Sequence, residues 1–236
     1  MKKDFFYSLY YSNVNTPPPY LYELNVNFTV FDDKVQIEYL KTFLDRAQLS
    51  EEELEDEGFT LNDDSQIESE LKGEWVNYFK SLANHKDWSK TDNSEEDFNN
   101  NFISMTTLGG EAQFLMLNGI EYHLEELLQA LVESLEIEAP LSILIRKNEA
   151  QKIVDTELYW SFKDRIFEIR KTTGTQSSDW EEGRRLLSLF YETDLSEQPV
   201  FKKQVPLNVT CINPGDGIWY QTPKTASWKE VISKIF

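Results

Sequence analysis

Apolar and polar positions in the first forty residues alternate with a period of two. In "YLYELNVNFTVF" (20–31), Leu21 precedes Leu24, Val26, Phe28 and Val30 on one side, with Glu23, Asn25, Asn27 and Thr29 opposite. That is the pattern of a half-buried strand. "FFYSLYY" (5–11) and "VQIEYLKTF" (35–43) share its aromatic and β-branched composition, and Asp32-Asp33 marks the turn into the third run. Connections this short join antiparallel neighbours, so a meander is expected. Pro17, Pro18 and Pro19 interrupt the first two runs. Each lacks an N–H and fixes φ near about −65°, so the three belong outside the ladder. "PPPY" therefore reads as a stiff corner; a polyproline ligand for a partner domain would need a free segment.

Beyond residue 44 the period lengthens. "SEEELEDEG" (50–58) has the Ser50-to-Glu53 spacing of a capping box, acidic residues at the positive end of the helix dipole and Gly58 as a stop. In "SQIESELKGEWVNYFKSLANH" (65–85) a second such spacing, Ser65 to Glu68, opens a stripe of Ile67, Leu71, Trp75, Tyr78, Phe79 and Leu82, which predicts one helix. The polar stretch 84–101 has no sustained period, so any sub-domain boundary within the single domain would fall within 89–101.

Gly109-Gly110 and Asn118-Gly119 favour hairpin turns, predicting short strands at 102–107, 111–117 and 120–123. A helix should follow, with Leu124, Leu127, Leu128, Leu131, Val132 and Leu135 inward and Glu125, Glu126, Gln129, Glu133 and Glu136 on the other side. Pro140 ends it, and "LSILIRKN" (141–148) reads as a strand. "ELYWSFKDRIFEIRKTTG" (157–174) predicts a hairpin turning at Lys163-Asp164, with a continuous helix as the competitor. Ser178 to Glu181 opens a helix burying Trp180, Leu186, Leu187 and Phe190. "LNVTCIN" and "IWYQT" predict strands around "PGDG" (214–217), and a last helix capped by Ser227 buries Val231, Ile232 and Ile235. Strand pairs followed by a helix recur, without a fixed period or shared residue string to establish a repeat. The expected fold is α+β, a largely antiparallel sheet or sheets built from hairpins and covered by amphipathic helices, in one domain spanning 1–236.

Composition narrows the function classes. The chain carries 42 acidic and 23 basic residues, a formal −19. Such a field repels nucleic-acid phosphates and anionic lipid and attracts basic partners, so neither nucleic acid nor membrane is an expected partner. No apolar run reaches the roughly 20 residues of a membrane helix. One cysteine, Cys211, excludes an intrachain disulfide, and a start read as a strand points to the cytoplasm. With only His85, His123 and Cys211 as nitrogen or sulfur ligands, no zinc site is expected; a hard-cation site would have to be built from carboxylates, and neither 62–68 nor 213–217 has the full oxygen-donor run of an EF-hand, so no metal ligand is assigned. No phosphate loop, dinucleotide fingerprint or nucleophile elbow is present, so no cofactor or catalytic residue is assigned.

The remaining feature is Glu51, Glu52, Glu53, Glu55, Asp56 and Glu57, interrupted only by Leu54. A solvated, solubilising helix face would look this way. So would a patch that docks a basic protein, as in an inhibitor, immunity protein or scaffold. The latter, non-catalytic role is the leading expectation. The alternative is a small-molecule-binding protein or metal-independent hydrolase with a pocket between sheet and helices.

Overall fold

The alternating runs become strands in the computed structural model, which describes residues 5–13, 16–84, 102–107, 112–115, 120–149, 152–202 and 205–236. Its contacts divide the chain into two compact units, Met1–Ile137 and Glu138–Phe236. The sub-domain boundary sought within 89–101 lies outside the described residues; the division between the two units falls after Ile137, two strands and a helix further along.

In unit 1, β1 (Phe5–Ser12), β2 (Tyr22–Val30), β3 (Lys34–Phe43) and β4 (Ser65–Lys72) form an antiparallel meander. A short helix, α1 (Glu51–Asp56), interrupts the β3–β4 link. After α2 (Glu74–Ala83), the hairpin β5 (Phe102–Thr107) and β6 (Ala112–Leu115) joins the sheet beside β1, and α3 (Ile120–Ser134) follows. The strand order is β4-β3-β2-β1-β5-β6. Leu24, Val26, Phe28 and Val30 are all buried, with Leu9 and Tyr11 of β1 beside them in register. Phe79 of α2 meets the Phe28 ring at 4.5 Å, and Ser134 of α3 shares a hydrogen bond with Ser69 of β4. Both helices therefore cover the same sheet face.

Unit 2 repeats this plan. Its meander is β7 (Leu141–Glu149), β8 (Lys152–Ser161), β9 (Ile166–Lys171) and β10 (Gly174–Ser178), followed by α4 (Trp180–Tyr191). After the two-residue strand β11 (Val200–Phe201), β12 (Val209–Asn213) and β13 (Trp219–Gln221) form the hairpin beside β7, and α5 (Ala226–Ile235) closes the unit. The order is β10-β9-β8-β7-β12-β13-β11, the unit 1 order with one strand added at the edge. Core contacts correspond too. The Trp160 indole of β8 donates to the Gly183 carbonyl of α4 at 3.0 Å, and Trp228 of α5 packs edge-on against Phe190 of α4. The strand-and-helix rhythm in the sequence thus belongs to two copies of one topology.

Several local expectations need correction. Residues 65–72 are strand, not the start of a helix. Ile67, Ser69 and Leu71 also satisfy a period of two, and the open edge of β3 offers eight backbone partners from Lys34 to Lys41. Pairing across the sheet overrides local helical spacing. Gly73, at φ 60°, then turns the chain into α2. Residues 120–123 are the first turn of α3, where His123 stacks on Tyr78 of α2. Helix α4 is capped by Asp179 and α5 by Thr225, instead of Ser178 and Ser227. Ser178 is taken up as the last residue of β10. On α3, Glu126 and Glu133 are buried instead of facing water. The turns expected at Gly109-Gly110 and Asn118-Gly119 fall outside the described residues.

Candidate functional site

The six acidic residues sit on an insertion. Between β3 and β4 the chain runs through residues 44–64, whereas the equivalent link between β9 and β10 is Thr172-Thr173 alone. This unit 1 excursion carries nine acidic residues and a single basic one, Arg46.

Arg46 holds the excursion in place. It is 3% exposed, its guanidinium 3.5 Å from the Phe43 ring centre and 4.5 Å from that of Phe59. Nε donates to the Pro19 carbonyl at 3.0 Å, and Nη1 donates to the Thr60 carbonyl and the Asp63 carboxylate. The planar fork of an arginine suits this combination of stacking and divergent donation. The proline segment is the other wall. Asn13 bonds the backbone of Tyr20 and Tyr22, Pro19 is buried, and the Tyr20 ring meets Phe59 edge-on at 5.2 Å. "PPPY" is a corner fastened at both ends.

On this base Ser50 and Glu53 form the predicted capping box, and Leu54 is buried beneath the helix. Glu57 accepts the Tyr20 hydroxyl. Two of the six acidic residues thus have local structural duties, while Glu51, Glu52, Glu55 and Asp56 are exposed.

The unit 1 sheet face away from the helices adds carboxylates. Glu38 of β3 stands directly opposite Glu68 of β4, and both are exposed. Like charges in register oppose pairing. Around them lies a shallow cleft of about 510 Å³, also lined by Glu70, Asn27 and Thr29. The corresponding face of unit 2 balances its charges: Arg146 chelates Asp155 through two bonds of 2.7 Å, and Arg170 pairs with Glu168 and Glu157.

The same asymmetry holds along the sequence of each unit. Unit 1 contains 28 acidic and 9 basic residues; unit 2 contains 14 of each. The entire formal −19 therefore belongs to unit 1.

Cys211 is fully buried in β12, and burial pushes its thiol up to about 11, away from a reactive thiolate. His85 is outside the described residues. Glu53, Asp63, Glu70, Glu182, Asp194 and Glu230 have their carboxyl pKa values lowered, each chiefly by hydrogen bonds from nearby backbone, hydroxyl or cationic groups. That direction suits a fixed anion and opposes service as a general acid. Among the described residues no group of three or more His, Cys, Asp or Glu gathers to hold a metal, and no helix is long and apolar enough to cross a membrane. No family model, curated protein or solved structure matches this chain.

Proposed function

We propose that this chain is a non-catalytic, cytoplasmic binding protein that uses the acidic surface of unit 1, with α1 at its head, to dock a basic protein as an inhibitor, immunity-type protein or scaffold. The observation supporting it is the insertion at residues 44–64. A solubilising charge needs no fixed geometry, yet this helix is capped, buried at Leu54 and clamped through Arg46 to a proline corner. A preorganised anionic surface accelerates encounter with cations and restricts register without paying ordering entropy on binding.

A fluorescent octalysine peptide provides a direct test. The E51Q/E52Q/E55Q/D56N variant retains Glu53 and Glu57, and should associate several-fold more slowly at low salt, with a flatter dependence on ionic strength. The D32N/D33N/E74Q/E136Q variant removes the same charge elsewhere on unit 1 and should lose much less. Equal losses would reduce the effect to net charge and defeat the docking role of α1.

A further inference from the structure

Unit 2 carries a cleft of the opposite character. It lies between the β12–β13 hairpin and α5, with a volume of about 400 Å³, within the usual range for a small-molecule site. Three lysines, Lys147, Lys224 and Lys229, line it, and no Asp or Glu side chain stands among its described lining residues. In a chain with 42 acidic residues, a ligand-sized cleft with that composition stands apart.

The lysines are not equivalent. Lys147 is paired with Glu149 at 2.7 Å and lies 5.6 Å from the Phe236 ring centre. Lys224 and Lys229 are exposed and have no carboxylate within ion-pair distance among the described residues. On the same helix as Lys229, Lys234 is shared between Glu182 and Glu230. Two cations thus remain available at this cleft while their neighbour is neutralised.

The lining beneath is amphipathic. Val209, Trp228, Ile232 and Phe236 supply apolar surface; Thr210, Gln221, Thr222 and Ser233 supply hydrogen-bonding groups. An inorganic ion would use the lysines and leave the apolar surface wet, whereas a neutral hydrocarbon would leave the cations without a counter-charge. A molecule with an apolar body and an anionic head would satisfy both. The neutral balance of unit 2, 14 acidic against 14 basic residues, also matters, because the unit that carries the cleft sets up no net repulsion of an anion.

We infer that the cleft between β12–β13 and α5 binds a small organic anion, its carboxylate or phosphate held by Lys224 and Lys229 and its apolar body against Ile232 and Phe236. This site is independent of docking by α1.

Amide chemical shifts of the full chain, titrated with 2-naphthoate, test the assignment. Saturable shifts are expected at Thr210, Gln221, Thr222 and Lys229. The 2-naphthylmethylammonium ion, with the same apolar body and the opposite charge, should leave those amides in place. K224Q/K229Q should weaken naphthoate by about tenfold, while K224R/K229R, which preserves the charge, should retain it. Both lysines are exposed, so unchanged amide positions elsewhere will verify folding. Binding of cation and anion alike, naphthoate binding indifferent to K224Q/K229Q, or no shift at about 10 mM, where even a millimolar Kd saturates, would overturn the assignment. Inorganic phosphate shifting the same amides as tightly as naphthoate would overturn the role of the apolar surface.

Discussion

Arg46 concentrates the physics of the candidate docking element in one side chain. Almost fully buried, it meets two carbonyls, one carboxylate and two rings, while its Nη2 has no hydrogen-bond partner among the described residues. Arg46→Leu preserves bulk but leaves those acceptors without their donor, so stability should fall by about 3 kcal/mol. Arg46→Lys should rescue little, because an ammonium cannot stack and fork at once; urea midpoints would rank the three proteins. Asp63 adds a pH dependence. Hydrogen bonds from the Thr60 hydroxyl and N–H, aided by Arg46, hold its carboxyl below the ordinary value. A carboxyl depressed in the folded state contributes stability above its unfolded pKa of about 4, and that contribution disappears as pH falls through the folded value. Asp63→Asn should consequently flatten the loss of stability between neutral and acid pH, as read from urea midpoints. In unit 2, a Cβ on Gly183 would lie 2.7 Å from the Phe167 side chain and 2.9 Å from the Trp160 nitrogen. Gly183→Ala should cost about 1–3 kcal/mol through overpacking, lowering the melting temperature.

At the scale of elements, β4 illustrates how ambiguous a short amphipathic run is. Its residues fit both a helical stripe and strict alternation, and the unpaired edge of β3 selects the strand. That choice brings Glu68 opposite Glu38. Replacing Glu68 with Lys should convert repulsion into a cross-strand attraction and raise the melting temperature by about 1–2 °C. A fall would show that Glu68 has a structural role beyond the register. The capping boxes teach a related lesson: Ser50 to Glu53 closes as expected, but Asp179, one residue after Ser178, and Thr225, two residues before Ser227, take the other caps. For α4 and α5 the spacing locates the helix start to within two residues, whereas Ser65 to Glu68 opens a strand; the competing demand of a strand or turn decides which oxygen is used.

Across the whole molecule, one topology occurs twice with different electrostatics. Unit 1 holds 28 acidic against 9 basic residues, while unit 2 is balanced. Self-repulsion should therefore weaken unit 1 specifically at low ionic strength. Hydrogen exchange between about 10 and 300 mM salt should show protection rising in the core strands of unit 1 and hardly changing in those of unit 2, as screening lengths shrink. Equal responses would mean that the carboxylates of unit 1 are already compensated locally.

By itself, the sequence determined the α+β class, most strands, the helix at 50–58 and its acidic residues, because alternation, capping spacing and charge are local properties carried by consecutive side chains. The meander from Phe5 to Phe43 and the hairpin at Lys163-Asp164 were legible for that reason. Tertiary structure alone decided that 65–72 would be a strand, that Glu126 and Glu133 on α3 would be buried, and that two units would share one topology. Those outcomes depend on which surfaces meet across long stretches of chain. The same holds for the candidate sites: the carboxylates of 51–57 were visible, but Arg46, which makes their helix a fixed element, and the convergence of Lys147, Lys224 and Lys229 come from contacts between residues far apart in sequence.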